Sequence, residues 1–109
     1  MRVDPIALRA LLIGYAHSGT VITYGEVADT LGHRWSQDFG TSLIRALSIL
    51  AAENKKAGEP LLMCLVVNKA TRLPGHGFYE SIGHGNANTT LQRSLLDEEV
   101  KRCRLWSWQ

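Results

Sequence analysis

The feature that most constrains this fold is a close succession of helix start and stop signals near the middle of the chain. Residues 23–26, Thr-Tyr-Gly-Glu, have the spacing of a capping box, in which a hydroxyl and a carboxylate satisfy free N–H groups at a helix start. Gly32 ends this helix after about two turns, and Ser36 can cap a third, longer helix over residues 37–56. A short helix, a tight turn and a longer helix in this order are typical of a helix-turn-helix.

Helices are also predicted at both ends of the chain. Asp4 and Pro5 have the residue types that favour a helix start, and residues 18–19, Ser-Gly, end this first helix. A cap at Thr89 begins the last helix. Apolar residues at three- and four-residue spacing are predicted to face the core. They are Ile6, Leu8, Leu11, Leu12 and Tyr15 in the first helix, Phe39, Leu43, Ile44, Leu47, Leu50 and Ala51 in the third, and Leu91, Leu95, Leu96 and Val100 in the last.

Two segments are predicted to be extended. The β-branched residues 20–22 favour a short edge strand, and the apolar run 61–67 predicts a central strand buried on both faces. Residues 68–77 are polar and rich in turn-forming residues, so we interpret them as the loop of a hairpin or wing that returns at Phe78 and Tyr79. The expected fold class is α+β: a winged helix-turn-helix-like domain, mostly helical with a small sheet, that occupies residues 1–109 as a single domain.

The amino-acid composition excludes few classes of function. A chain of 109 residues with 45% hydrophobic and 20% charged residues is typical of one globular domain. The formal net charge of +2 is too small to indicate a nucleic-acid-binding protein by itself. Two cysteines, Cys64 and Cys103, without a secretion signal favour a reduced, cytoplasmic protein, and no apolar run is long enough to cross a membrane.

The helix-turn-helix order directs attention to the helix that starts near Gln37 and to the loop after Val67. Amide and hydroxyl side chains at the start of a recognition helix hydrogen-bond to base edges, and arginine or lysine side chains neutralise phosphates. Double-stranded DNA is therefore one predicted partner. The residues assigned to its contact on this basis are Arg34, Gln37, Thr41, Arg45, Lys69 and Arg72.

A family resemblance supports this hypothesis. Residues 19–28, Gly-Thr-Val-Ile-Thr-Tyr-Gly-Glu-Val-Ala, resemble the start of the DNA-binding domain of the O6-alkylguanine-DNA alkyltransferases and the alkyltransferase-like proteins. Residues 39–40, Phe-Gly, take the place of a Val-Gly in that family's recognition helix, and residues 65–68 resemble the segment after its reactive site. The resemblance covers about half of the chain. It implies a winged-helix domain that binds DNA, with Tyr24 in the position of a tyrosine that helps to rotate a nucleotide out of the duplex.

The reactive site of that family is missing from this sequence. Its Pro-Cys-His-Arg motif is replaced by residues 63–67, Met-Cys-Leu-Val-Val, in which Cys64 lies one residue too close to the valines. Apolar neighbours disfavour a thiolate, so we interpret Cys64 as a core residue. Gln37 also stands where the family has the arginine that fills the gap left by a flipped base. We therefore expect a non-enzymatic DNA-binding domain with no catalytic residue, metal or cofactor.

A second resemblance extends further along the chain. Residues 23–26, 65–69 and 73–78, together with the aromatic C-terminus, resemble a set of small bacterial proteins with no assigned activity. This resemblance implies a domain and not a reaction.

Two alternatives to DNA binding remain open at this point. A protein-protein interaction module, such as an inhibitor, immunity or adaptor protein, is consistent with the modest net charge. Its candidate anchors are Trp35, Phe78, Trp106 and Trp108. An enzyme centred on Asn68, Lys69 and His76 is less favoured, because no nucleophile, base and orienting group occur at a recognisable spacing.

Overall fold

The computed structural model describes residues 3–109. The helices are α1 (Pro5–Ser18), α2 (Tyr24–Thr30), α3 (Gln37–Ala57), α4 (His76–Ser81) and α5 (Thr89–Leu105). The strands are β1 (Ile22–Thr23) and β2 (Val66–Val67), and a 3₁₀ turn (Leu62–Leu65) precedes β2. The described part of the chain is therefore mostly helical with a small sheet, as the sequence predicts.

The predicted starts of the first three helices are confirmed. Asp4 and Ser36 cap α1 and α3 through side-chain oxygens that accept backbone N–H groups. Thr23 and Glu26 form both hydrogen bonds of the capping box at α2, with lengths of 3.2 and 2.9 Å. Gly19 ends α1 at a left-handed φ of 66°, a conformation that is easy for a residue without a β-carbon. These boundaries are local features, which is why sequence pattern locates them.

The apolar run 61–67 lies in the interior, but the prediction of a strand along all of it is wrong. Only its last two residues are extended, and the 3₁₀ turn occupies the middle. The backbone amides are satisfied by buried side chains instead of by a neighbouring strand. Leu61 N–H donates to the Glu99 carboxylate at 2.7 Å, and Leu62 N–H donates to the Asn54 side-chain oxygen at 3.1 Å. Tertiary contacts from α3 and α5 thus outweigh the local strand preference.

The sheet consists of β1 and β2 in parallel, with Ile22 opposite Val66. The edge strand predicted at residues 20–22 is shorter and begins two residues later, so only Ile22 of the predicted residues belongs to it. After β2, residues 68–73 form a tight turn, and Val67 makes one antiparallel bridge to Pro74. Proline has no N–H to continue a ladder, so this turn does not extend into a winged hairpin among the described residues.

The predicted return strand at Phe78 and Tyr79 is wrong, because both residues belong to α4 and are buried. The predicted cap of the last helix is also displaced. Asn88, and not Thr89, caps α5 by accepting the Leu91 N–H at 2.9 Å.

The described core is one cluster of buried apolar side chains drawn from all of these elements. Most of the residues predicted to face inward contribute to this cluster or pack against it. Ile6, Ile44 and Leu91 do not, with exposed fractions of 79%, 60% and 41%. No neighbouring element in the described part of the chain covers these three positions, and periodicity alone does not tell where such cover is missing.

None of the helices between residues 3 and 109 combines the length and the hydropathy needed to cross a membrane.

Candidate functional site

An open groove of about 610 Å³ lies where α2, α3 and the segment after β2 meet. Apolar carbon predominates in its wall, with amide and hydroxyl groups interspersed. The lining residues are Tyr24 from α2, Trp35 from the turn before α3, Gln37, Gly40, Thr41 and Ile44 from α3, and Asn68, Thr71, Leu73, Pro74 and Gly75 from the segment after β2.

Two aromatic rings form one wall of the groove. The rings of Tyr24 and Trp35 lie 6.5 Å apart at a tilt of 59°, and Trp35 also meets the buried Phe39 in an edge-to-face contact at 5.9 Å. The indole lies against Gly40, where a β-carbon would be 3.1 Å from two ring carbons. Trp35 is nevertheless 48% exposed, so this packing holds a large aromatic surface open to a ligand.

The first half of α3 forms a second wall. Gln37, Thr41 and Ile44 follow one another at spacings of four and three residues, which places them on one face of the helix. The Thr41 hydroxyl donates to the Gln37 carbonyl at 3.1 Å and keeps its own lone pairs for another donor. Ile44 supplies an exposed apolar surface beside these polar groups. This face can therefore hydrogen-bond and also make apolar contact.

The Tyr24 hydroxyl closes one end of the groove against Gly75. A β-carbon on Gly75 would lie 3.0 Å from this oxygen, so the absence of a side chain allows the close approach. Burial raises the pKa of Tyr24 above its ordinary value of 10.0, and the Gly75 backbone amide partly opposes that shift. The hydroxyl is thus protonated at neutral pH.

The cations of residues 68–75 lie near the start of α2. Glu26 has a lowered pKa mainly because of its hydrogen bonds to the Thr23 backbone and hydroxyl, and the positive charges of Arg72 and Lys69 add to the effect. Arg72 has a left-handed backbone with a φ of 57°, and its N–H donates to the Asn68 carbonyl at 2.8 Å.

Only some of the residues that were predicted from the sequence to contact DNA lie close together in the structure. Tyr24, Gln37 and Thr41 line the groove. Arg45 lies on the neighbouring face of α3, beside Ser42 and Ile49.

The other three cations lie in connecting segments. Arg34 is exposed in the turn before α3, and Lys69 and Arg72 are exposed after β2. None of these three side chains is part of the groove wall.

Several residues that line the groove were not predicted as contacts with DNA. Ile44 was expected in the core, although its spacing from Gln37 and Thr41 already places it on their face. Asn68 belongs to the loop after Val67 that was predicted to contact DNA, but it was named individually only for an enzyme. Trp35 was assigned to a protein contact, yet it shares the groove with the predicted DNA-contact residues.

The structure also bears on the alternative sites. Phe78 is buried, so its prediction as a protein-contact anchor is wrong. The enzyme trio of Asn68, Lys69 and His76 does not line one cavity: Asn68 lines the groove, and His76 lines an adjoining depression of about 160 Å³.

Cys64 is fully buried, and this burial raises its pKa well above the ordinary range. The thiolate that a nucleophile requires is therefore disfavoured. Among residues 3–109, no three His, Cys, Asp or Glu side chains converge in a way that could hold a metal ion.

Comparison with protein-family models, with curated protein sequences and with solved structures finds no match for this chain.

Proposed function

We propose that this chain is a non-enzymatic helix-turn-helix domain, similar to the alkyltransferase-like DNA-binding domain but without a hairpin wing in residues 3–109, that binds duplex DNA through the groove between α2, α3 and residues 68–75. One observation carries the proposal: the exposed polar face at the start of α3, the exposed Trp35 ring and the half-buried Tyr24 ring border the same open groove. Hydrogen-bonding groups and aromatic surface meet there at the helix that a helix-turn-helix protein presents to DNA.

Base contacts come from α3 in this proposal. The Gln37 amide can donate and accept hydrogen bonds, and the Thr41 hydroxyl, whose proton goes to the Gln37 carbonyl, can accept one, which suits the edges of base pairs. Ile44 and Trp35 offer apolar surface to sugars and thymine methyl groups. The neutral Tyr24 hydroxyl donates to a phosphate or base acceptor at the end of the groove.

Phosphate contacts come from cations around the groove. Arg34, Arg45, Lys69 and Arg72 are all exposed, and none of them forms an ion pair within residues 3–109. Unpaired surface cations release counterions when they neutralise DNA phosphates, so each contact adds to the salt dependence of binding.

The test is a titration of a fluorescent mixed-sequence duplex at salt concentrations between about 50 and about 200 mM. Wild-type protein is expected to bind with a clear salt dependence, and Arg45→Gln and Lys69→Gln should each reduce the slope of log affinity against log salt by about 0.9. Lys56→Gln is a matched control, because it removes the same charge from α3 about 16 Å beyond Arg45. An absence of binding at the lowest salt would refute the proposal.

The same groove also supports a second candidate, a protein-protein contact. Trp35 and Ile44 are large, exposed and in one wall, and exposed apolar surface of this kind occurs at protein interfaces. The two candidates differ in their response to salt. Binding of a protein through this apolar wall should persist from about 50 to about 200 mM salt, whereas duplex binding should weaken steeply.

A further inference from the structure

A second concave surface, here called the arginine cleft, lies between the α1–β1 junction and α5. It has a volume of about 410 Å³. Gly19 and Thr20 form its edge at the junction, Arg72 enters from the turn after β2, and Arg93 and Asp97 line it from α5. Of these residues, only Arg72 has a function predicted from the sequence.

One stripe of α5 supplies most of the charge in this cleft. Arg93, Asp97, Val100 and Arg104 follow at spacings of four, three and four residues and therefore share a helix face. The Arg104 side chain passes directly over Gly19, where a β-carbon would lie 2.8 Å from its Cδ atom. Arg104 thus borders the cleft that Arg93 lines.

The arginine cleft carries more positive than negative side chains, although Arg72 also acts on the Glu26 carboxylate outside it. Arg72, Arg93 and Arg104 are accompanied by one lining carboxylate, Asp97, a local balance of +2 in a chain whose formal net charge is +2. Between residues 3 and 109, none of the three arginines forms an ion pair. Unpaired guanidinium groups around a concavity fit the geometry of a phosphate, which accepts two parallel N–H bonds from one such group.

The cleft and the groove share the turn after β2. Thr71 lines the groove and the next residue, Arg72, lines the cleft, so their Cα atoms are about 3.8 Å apart. Arg93 connects the two sides directly, because its Nη2 donates to the Thr71 carbonyl at 3.0 Å. The groove and the arginine cleft therefore meet at this turn.

We propose that the arginine cleft binds backbone phosphates of the same DNA duplex, so that Arg93 and Arg104 of α5 extend the contact surface beyond the helix-turn-helix. This inference rests on the proposed function. It assigns to α5 a role in binding that neither the helix order nor the family resemblance implies.

The experiment compares the salt dependence of duplex binding in four variants and one control variant. Arg93→Gln and Arg104→Gln should each reduce the slope of log affinity against log salt by about 0.9, and the double variant by about 1.8. Arg93→Lys should keep the slope, because it keeps the charge while losing the guanidinium fork. Lys101→Gln is the matched control on another face of α5, where Lys101 lines a different depression, and should leave the slope unchanged.

The outcomes separate this inference from the proposed function. One outcome would overturn the inference and leave the proposed function standing. In that outcome, wild-type protein binds and the slope falls for Arg45→Gln and Lys69→Gln, but it is unchanged for Arg93→Gln and Arg104→Gln. No wild-type binding would overturn both. Melting curves check that each variant is folded. If Arg93→Gln unfolds because Thr71 loses its partner, Arg104→Gln decides the question, since the bond to Thr71 comes from Arg93.

Discussion

The indole of Trp35 packs against the bare α-carbon of Gly40, and a β-carbon there would lie 3.1 Å from two of its ring carbons. We expect Gly40→Ala to weaken duplex binding several-fold, because the added methyl group displaces the ring from the groove wall. Its free energy of unfolding should stay within about 1 kcal/mol of wild type, since a better helix residue offsets the lost contact. Urea denaturation and duplex titration measure the two effects.

Gly14→Ala is the control for this prediction. Gly14 lies inside α1, and no described atom outside its own stretch of helix comes within 4 Å of the position of its missing β-carbon. This substitution should stabilise the protein by about 1 kcal/mol and leave duplex affinity unchanged. If both variants are stabilised equally and keep the wild-type duplex affinity, the position of the Trp35 ring does not depend on Gly40.

Arg9 and Glu59 form a two-armed ion pair, with N–O distances of 3.0 and 2.9 Å, that joins α1 to the end of α3. The hydrogen bond from Arg9 lowers the pKa of Glu59 below its ordinary value of 4.5. A carboxyl group whose pKa is lowered in the folded state stabilises the fold above its unfolded pKa, and that stabilisation is lost as the pH falls through the folded pKa.

Glu59→Gln should therefore reduce the free energy of unfolding by about 1 kcal/mol at pH 7, and by less in acid below pH ~4. Urea denaturation across this pH range measures the difference. Glu98→Gln, an exposed carboxylate on α5, is the control and should change stability little. A constant difference between Glu59→Gln and wild type at all pH values would contradict the assignment.

Asn54 is a buried polar residue that holds the 3₁₀ turn in place. Its Oδ1 accepts the Leu62 N–H at 3.1 Å, and its Nδ2 donates to Glu59 at 2.9 Å. Asn54→Ala leaves the buried Leu62 N–H without an acceptor and should reduce the free energy of unfolding by about 2–3 kcal/mol. Asn86→Ala in an exposed loop is the comparison, and a loss for Asn54→Ala no larger than for Asn86→Ala would contradict this role.

Both cysteines are expected to be unreactive in the folded protein. Cys64 and Cys103 are fully buried, and burial raises the pKa of the Cys64 thiol. A thiol reagent such as dithionitrobenzoate should modify both residues in strong urea but react in buffer only as fast as the protein opens. Modification of either cysteine in buffer at the rate of a free thiol would contradict the buried assignment.

Local chemistry explains why much of the fold could be predicted from the sequence. The caps at Asp4, Thr23 and Ser36 act on backbone groups only two or three residues away, so the starts of α1, α2 and α3 follow from residue order. The strand predicted over residues 61–67 failed for the opposite reason. Its first two amides bond to Glu99 and Asn54, which lie 38 and 8 residues away in sequence.

The residues of the candidate site also fall into those that local sequence predicts and those that only packing brings together. Gln37 and Thr41 were predicted because they stand at the start of a helix whose position the sequence reveals. Helical periodicity could also have placed Ile44 beside them. The contact of Trp35 with Gly40 and the meeting of Arg72 with Arg93 depend on how the elements pack, and no spacing along the chain encodes those distances.

By itself, the sequence determined where the helices begin, which of their faces are mostly apolar, and the succession of α2, turn and α3. Only the tertiary structure decided that the turn after β2 separates an aromatic groove from the arginine cleft, with Arg93 bonded to Thr71 across 22 residues of sequence. The physical reason is the distance along the chain over which each kind of interaction acts. Caps and periodicity act within one or two helical turns, whereas a surface that binds a partner is assembled from segments that only packing brings together.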